Sequence, residues 1–121
     1  MANTFKVVTF AAEPNSAGTP YVVYTAGSGV TTVVLGLILT NIPTAQVTAE
    51  VELVSDTGNR GGSNDVTNGT AFLAKDIPIP VGSSVELLSG NKVVLETTDQ
   101  IRIDCSVADK LSGSLSIMEI T

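Results

Sequence analysis

Turn-forming residues interrupt this chain roughly every 8 to 12 residues, and that rhythm constrains the fold more than any other feature. Gly27-Ser28-Gly29, Asn41-Ile42-Pro43, Gly82-Ser83, Ser89-Gly90-Asn91, Thr98-Asp99 and the cluster at 109–113 are the punctuation. The runs between them are short and rich in side chains branched at Cβ: Val, Ile and Thr supply 39 of the 121 residues. Such side chains lose χ1 freedom in a helix and pack well on a pleated surface. The expectation is an all-β, single-domain antiparallel β-sandwich over residues 1–121. It is jelly-roll-like, with about eight or nine strands and no significant helix.

FKVVTF at 5–10 reads as a first strand, followed by a loop with Pro14, Asn15, Gly18 and Pro20. YVVYT at 21–25 reads as a second, closed by AGSG and turning as a hairpin into VTTVVLGLILTNI at 30–42. That run puts Val33, Leu35, Leu37 and Leu39 on one face and Val34, Gly36, Ile38 and Thr40 on the other, the pattern of a central strand covered on both sides or of a strand shared between core and subunit interface. A glycine inside a strand weakens it, so Gly36 marks a bulge or a close backbone approach. Farther on, Val47, Ala49, Val51 and Leu53 alternate with Thr48, Glu50, Glu52 and Val54, as in an antiparallel strand with one side in water. Residues 56–70 read as a Gly-, Asn- and Ser-rich loop, of a length that tends to be functional or mobile. Strands then follow in TAFLAKDIPIPV, SSVELL, NKVVLE, QIRIDCSV and SLSIMEI.

Catalytic chemistry is thin. The chain has no histidine, which removes the imidazole base and the usual Ser-His and Cys-His nucleophile arrangements. Glu50 and Glu52 share one strand face and Asp104 lies on another strand, but the plain reading of these carboxylates is a solvated strand face. Asp56, Asn59, Asn64 and Asp65 offer oxygen ligands of the kind Ca²⁺ takes, yet their spacing matches no calcium loop and an ordinary turn-rich loop explains them better. Cys105 alternates with Ile101 and Ile103 and reads as a small core hydrophobe, not a reactive thiol. No enzyme activity and no cofactor are expected.

Within TAFLAKDIPIPV the stretch Ile77, Pro78, Ile79, Pro80, Val81 places two prolines two residues apart. Amides at i and i+2 point to the same side of a strand, so the prolines silence one edge while Ile77, Ile79 and Val81 face together. An edge strand, or an extended crossover between two sheets, accounts for the segment. A sharper reading makes these five residues a subunit or capsid contact, with a stiff arm lying in a neighbour's groove.

Net charge and cysteine count bound the partners. At −6, with six Lys and Arg, the chain has no dense cationic surface for phosphates, so direct nucleic-acid binding is not expected. One cysteine excludes an internal disulfide. The start MANTFKVVTF has no signal-peptide pattern and no apolar run approaches the roughly 20 residues of a spanning helix, so a soluble protein without membrane contact is expected.

The opening ANTFK, the block YVVYTAGSGVTTVVLGLILTNI, the block KDIPIPVGSSVELLSGNKVVLETTDQIRI and the closing LSGSLSIMEIT together resemble small virion structural proteins of tailed bacteriophages, especially those infecting cyanobacteria and other aquatic bacteria. The likeness runs over nearly the whole chain and is weakest over 56–70. It implies a β-sandwich built into a phage particle: a capsid decoration or cement protein that stabilises adjacent capsomers. Its partners would be the major capsid protein or other virion subunits, and it would be a homo-oligomer, with a trimer favoured. It would be made in the host bacterial cytoplasm and reside in the virion, at the capsid surface. A tail, neck or baseplate component is the alternative. A carbohydrate-binding module is weaker, since Phe5, Phe10, Tyr21, Tyr24 and Phe72 are the aromatic residues and there is no Trp.

Overall fold

The computed structural model describes residues 2–42, 45–55, 69–88 and 93–121. Its strands are β1 (Asn3–Glu13), β2 (Tyr21–Thr25), β3 (Thr31–Asn41), β4 (Val47–Ser55), β5 (Gly69–Ile79), β6 (Ser84–Leu87), β7 (Val93–Leu95), β8 (Gln100–Cys105) and β9 (Leu111–Ile120). They form two antiparallel sheets. The first has the order β1-β9-β3-β6, with β7 also pairing β3, and the second has the order β2-β8-β4-β5. Only β4 with β5 and β6 with β7 are consecutive strands of one sheet; every other connection carries the chain to the opposite sheet. This is the jelly-roll arrangement the turn rhythm implied, and among the described residues there is no helix.

The two inner faces meet in one apolar cluster. Val34, Leu37 and Leu39 of β3 with Leu115 and Ile117 of β9 oppose Val47, Ala49 and Val51 of β4 with Ile101, Ile103 and Cys105 of β8, all buried. Each larger member contributes about 1.5–3 kcal/mol by leaving water. Cys105 is therefore a core side chain as expected, and burial pushes its thiol pKa up.

Two strand expectations change. YVVYT does not form a hairpin with the run that follows: β2 pairs with β8 and β3 with β9, so the Gly27–Val30 turn, closed by a 3.2 Å Val30 N to Gly27 O bond, carries the chain from one sheet to the other. A tight turn and a sheet crossover place the same residues at a corner, and local turn chemistry cannot tell them apart. Nor is β3 covered on both sides. A bulge between Val34 and Gly36 switches its phase, so Thr32, Val34, Leu37 and Leu39 point inward and Val33 and Ile38 outward. Gly36 sits at that bulge as anticipated. The close backbone approach occurs elsewhere, at Gly113, where an added Cβ would run into the Ile38 carbonyl oxygen.

The proline segment is both an edge strand and a crossover. Thr48, opposite Pro78, directs its amide and carbonyl to Ser106 of the β8 end, so Pro78 occupies a non-hydrogen-bonded site and its missing N–H faces the open edge. β5 ends at Ile79. Pro80 then opens a turn closed by Ser83 N to Pro80 O at 3.1 Å, with Gly82 at φ +69° supplying the left-handed residue a type II turn needs. Asn41, fully buried at the end of β3, donates from Nδ2 to the Ile79 carbonyl at 3.0 Å and fastens this corner to the first sheet.

Candidate functional site

The outer faces of the two sheets differ in kind. On the second sheet, the register aligns Val22, Arg102, Glu52 and Phe72 in a row across four strands. Arg102 Nη2 lies 2.6 Å from Glu52 Oε2, and Glu52 is only 6 % exposed. Beside this pair Lys75 Nζ bonds Glu50 Oε1 at 2.8 Å and lies 4.5 Å from the centre of the Phe72 ring. Asp104, opposite Glu50, accepts from the backbone amides of Gly18 at 3.1 Å and Cys105 at 2.8 Å. The plain expectation of a solvated carboxylate face is thus corrected: each of the three acids is engaged by a named partner, and Glu52 is buried with its arginine. A cavity of about 340 Å³ opens next to them, with Thr48, Glu50, Asp76, Asp104 and Ser106 among its lining residues. Among the described residues no three Cys, Asp or Glu side chains converge as a metal site would require. The oxygen-rich candidates Asp56, Asn59, Asn64 and Asp65 lie outside the described residues.

The first sheet presents the opposite character. Its register aligns Phe5 of β1, Met118 of β9, Val33 of β3 and Val94 of β7 in one outward row. Phe5 is 71 % exposed, Val7 on the same strand 62 %, and Val94 and Ile38 are also exposed. Serines and a glycine fill the rows below, Ser116 with Gly36 and Ser114 with Ile38. Because these side chains are small and the β3 bulge leaves Gly36 bare, they form the floor of a groove of about 260 Å³ walled by Leu35, Ile38 and Glu86. The acids near this face stand at its margin: Glu86 on β6, and Glu96 just beyond β7, which accepts from Thr31 Oγ1 at 3.2 Å. A four-stranded apolar face with a central groove and, among the described residues, no cation is suited to hold another surface.

The five residues singled out by sequence fall into different environments. Ile79 is fully buried in the sandwich core and Ile77 is half-buried, whereas Pro78, Pro80 and Val81 are exposed. The expectation that Ile77, Ile79 and Val81 face together is corrected: Val81 lies beyond the strand, in the turn, so its direction is no longer set by strand alternation. Sequence reasoning missed the Phe5, Met118, Val33, Val94 row because its four members come from distant parts of the chain. The signal was present only as outward apolar positions in runs whose inward positions were apolar as well.

The ends of the two sheets are joined by one polar network. The Tyr24 hydroxyl of β2 donates to Glu119 Oε2 of β9 at 2.6 Å and lies 2.8 Å from Thr32 Oγ1 of β3, while Lys6 Nζ of β1 bonds Glu119 Oε1 at 2.7 Å. The lysine and the tyrosine hydroxyl hold the Glu119 carboxyl below its ordinary pKa. Burial and the neighbouring carboxylate raise that of Tyr24.

No family model and no curated protein matches the chain. Among solved structures it is similar to a chain of Bacillus endospore appendages, described as forming a family of disulfide-linked pili, at TM-score 0.44 and 16 % identity over 98 % of this chain and 84 % of that one. A likeness of that strength carries no argument about what this protein does.

Proposed function

We propose that this chain is a non-catalytic virion structural subunit, a capsid decoration protein that stabilises adjacent capsomers and lies against them through the outer face of its first sheet. The observation that carries the reading is the contrast between the two outer faces. On the second sheet Glu50 is paired with Lys75 and Glu52 with Arg102, while the described part of the first sheet exposes a row of apolar side chains and a groove with acids at its rim. The resemblance of the YVVYTAGSG and KDIPIPVGSS blocks to phage virion proteins supports the particle as its setting. The exposed Pro78, Pro80 and Val81 remain a second, smaller contact in this reading.

Sedimentation with expanded phage heads stripped of accessory proteins tests it. The chain should pellet with the heads. Ile38→Asp, which sets a charge in the groove, should stay in the supernatant, while Phe72→Asp on the other sheet should still pellet. A wild-type chain that never pellets, or two variants that behave alike, would refute the proposal.

A further inference from the structure

The sheet edges are not equally protected. β5 carries Pro78 and two breaks in its pairing with β4; β2 spans five residues with a break of its own; β6 and β7 split their edge into pieces of four and three residues. β1 differs. Its pairing with β9 is unbroken from Asn3 to Phe10, it contains no proline, and among the described residues it pairs with β9 alone.

The direction of its backbone groups follows from one hydrogen-bonded pair. Ala2 and Thr121 exchange both N–H to O bonds at 3.0 Å. Antiparallel pairs alternate between bonded and non-bonded, so Thr4, Lys6 and Val8 bond to β9, and Asn3, Phe5, Val7 and Thr9 turn their amides and carbonyls to the open side. Four consecutive outward sites on a straight, exposed strand form a template for another strand.

We infer that β1 pairs antiparallel with β1 of a second copy of this chain, about a two-fold axis at Val7. Three observations select this occupant. A two-fold matches β1 with an edge of equal length and continuity, which among the described residues is β1 itself. Residues 2–12 contain no carboxylate in a chain of net charge −6, so two copies meet along a stretch free of acids. In this register Phe5 faces Thr9 and Lys6 faces Val8, whereas an axis at Lys6 would set like charges opposite each other. The two-fold stands perpendicular to the joined sheet, so the outer faces of both copies lie on one side and their apolar rows become one surface. The pairing does not depend on what that surface docks against, and it makes the solution species a dimer, where the resemblance favoured a trimer.

Light scattering coupled to size exclusion, with residue-level amide exchange, provides the test. The wild-type chain should have twice the mass of the 12.4 kDa chain. The amides of Phe5 and Thr9 should exchange at least tenfold more slowly in that dimer than in Val7→Pro. Val7→Pro removes an outward donor and no bond to β9, so it should fold and run as a monomer. If it fails to fold, Val7→Lys, which sets two lysines together at the axis, takes its place and should also be monomeric. A wild-type monomer or trimer, a dimer that survives the substitution, or fast exchange at Phe5, Val7 and Thr9 would overturn the inference.

Discussion

The Tyr24 hydroxyl and the Glu119 carboxylate, 95 positions apart in the chain, meet at 2.6 Å and tie the second sheet to the first. A hydroxyl has one proton to give, so the donation to Glu119 leaves Thr32, which is fully buried, as the donor to the Tyr24 oxygen. Tyr24→Phe deletes both bonds and strands the Thr32 hydroxyl. It should cost about 1–3 kcal/mol in urea unfolding with an unchanged slope.

The same network sets a pH dependence. The Glu119 carboxyl titrates below its ordinary 4.5 in the folded chain, so its contribution is complete above that value and is lost as pH falls through the lowered folded pKa. Tyr24 titrates above its ordinary 10.0, so its contribution is complete below that value and is lost as pH rises through the raised folded pKa. Thermal melts should show a stability plateau between these limits, with both flanks shallower in Tyr24→Phe.

Glu52 and Arg102 form the best-shielded ion pair described. Glu52→Ala leaves Arg102 without its carboxylate in a half-buried site and should cost about 2–4 kcal/mol. Replacing both by Leu should cost clearly less than the sum of the single changes, a coupling readable in a double-mutant cycle.

Two glycines of the first sheet should respond in opposite ways. Gly113→Ala drives a Cβ into the Ile38 carbonyl oxygen, which is backbone and cannot step aside, so destabilisation by about 3 kcal/mol or more is expected. Gly36→Ala meets nothing within 4 Å and should change stability by no more than about 0.5 kcal/mol. Chemical denaturation of the two variants side by side decides this.

Pro78→Ala returns an N–H to the open edge of β5 without disturbing the Thr48 contacts to Ser106. Its melting temperature should stay near wild type while concentration-dependent light scattering rises, because a silenced edge has been reopened.

The jelly-roll class and the identity of nearly every strand were legible in sequence, because turn residues and period-two alternation are local signals. YVVYT at 21–25 coincides with β2, and Gly36 marks the bulge it was expected to mark. Which strands pair was not legible: nothing within Tyr21–Thr25 says that its neighbour is Gln100–Cys105 and not the run that follows. For the same reason the outward apolar row escaped notice, since Phe5, Val33, Val94 and Met118 become neighbours only through the register. The proline pair was read correctly at Pro78 and too generously at Pro80 and Val81, because alternation holds only while the strand lasts and β5 stops at Ile79.

Cryo-electron microscopy of phage particles prepared with this chain tests the proposed capsid role most directly. The account predicts density for the sandwich at junctions between capsomers, with the Phe5, Met118, Val33 and Val94 row turned toward the shell and the Glu52–Arg102 face toward solvent. Density confined to the tail, or a subunit bound with the Glu52–Arg102 face against the shell, would contradict it.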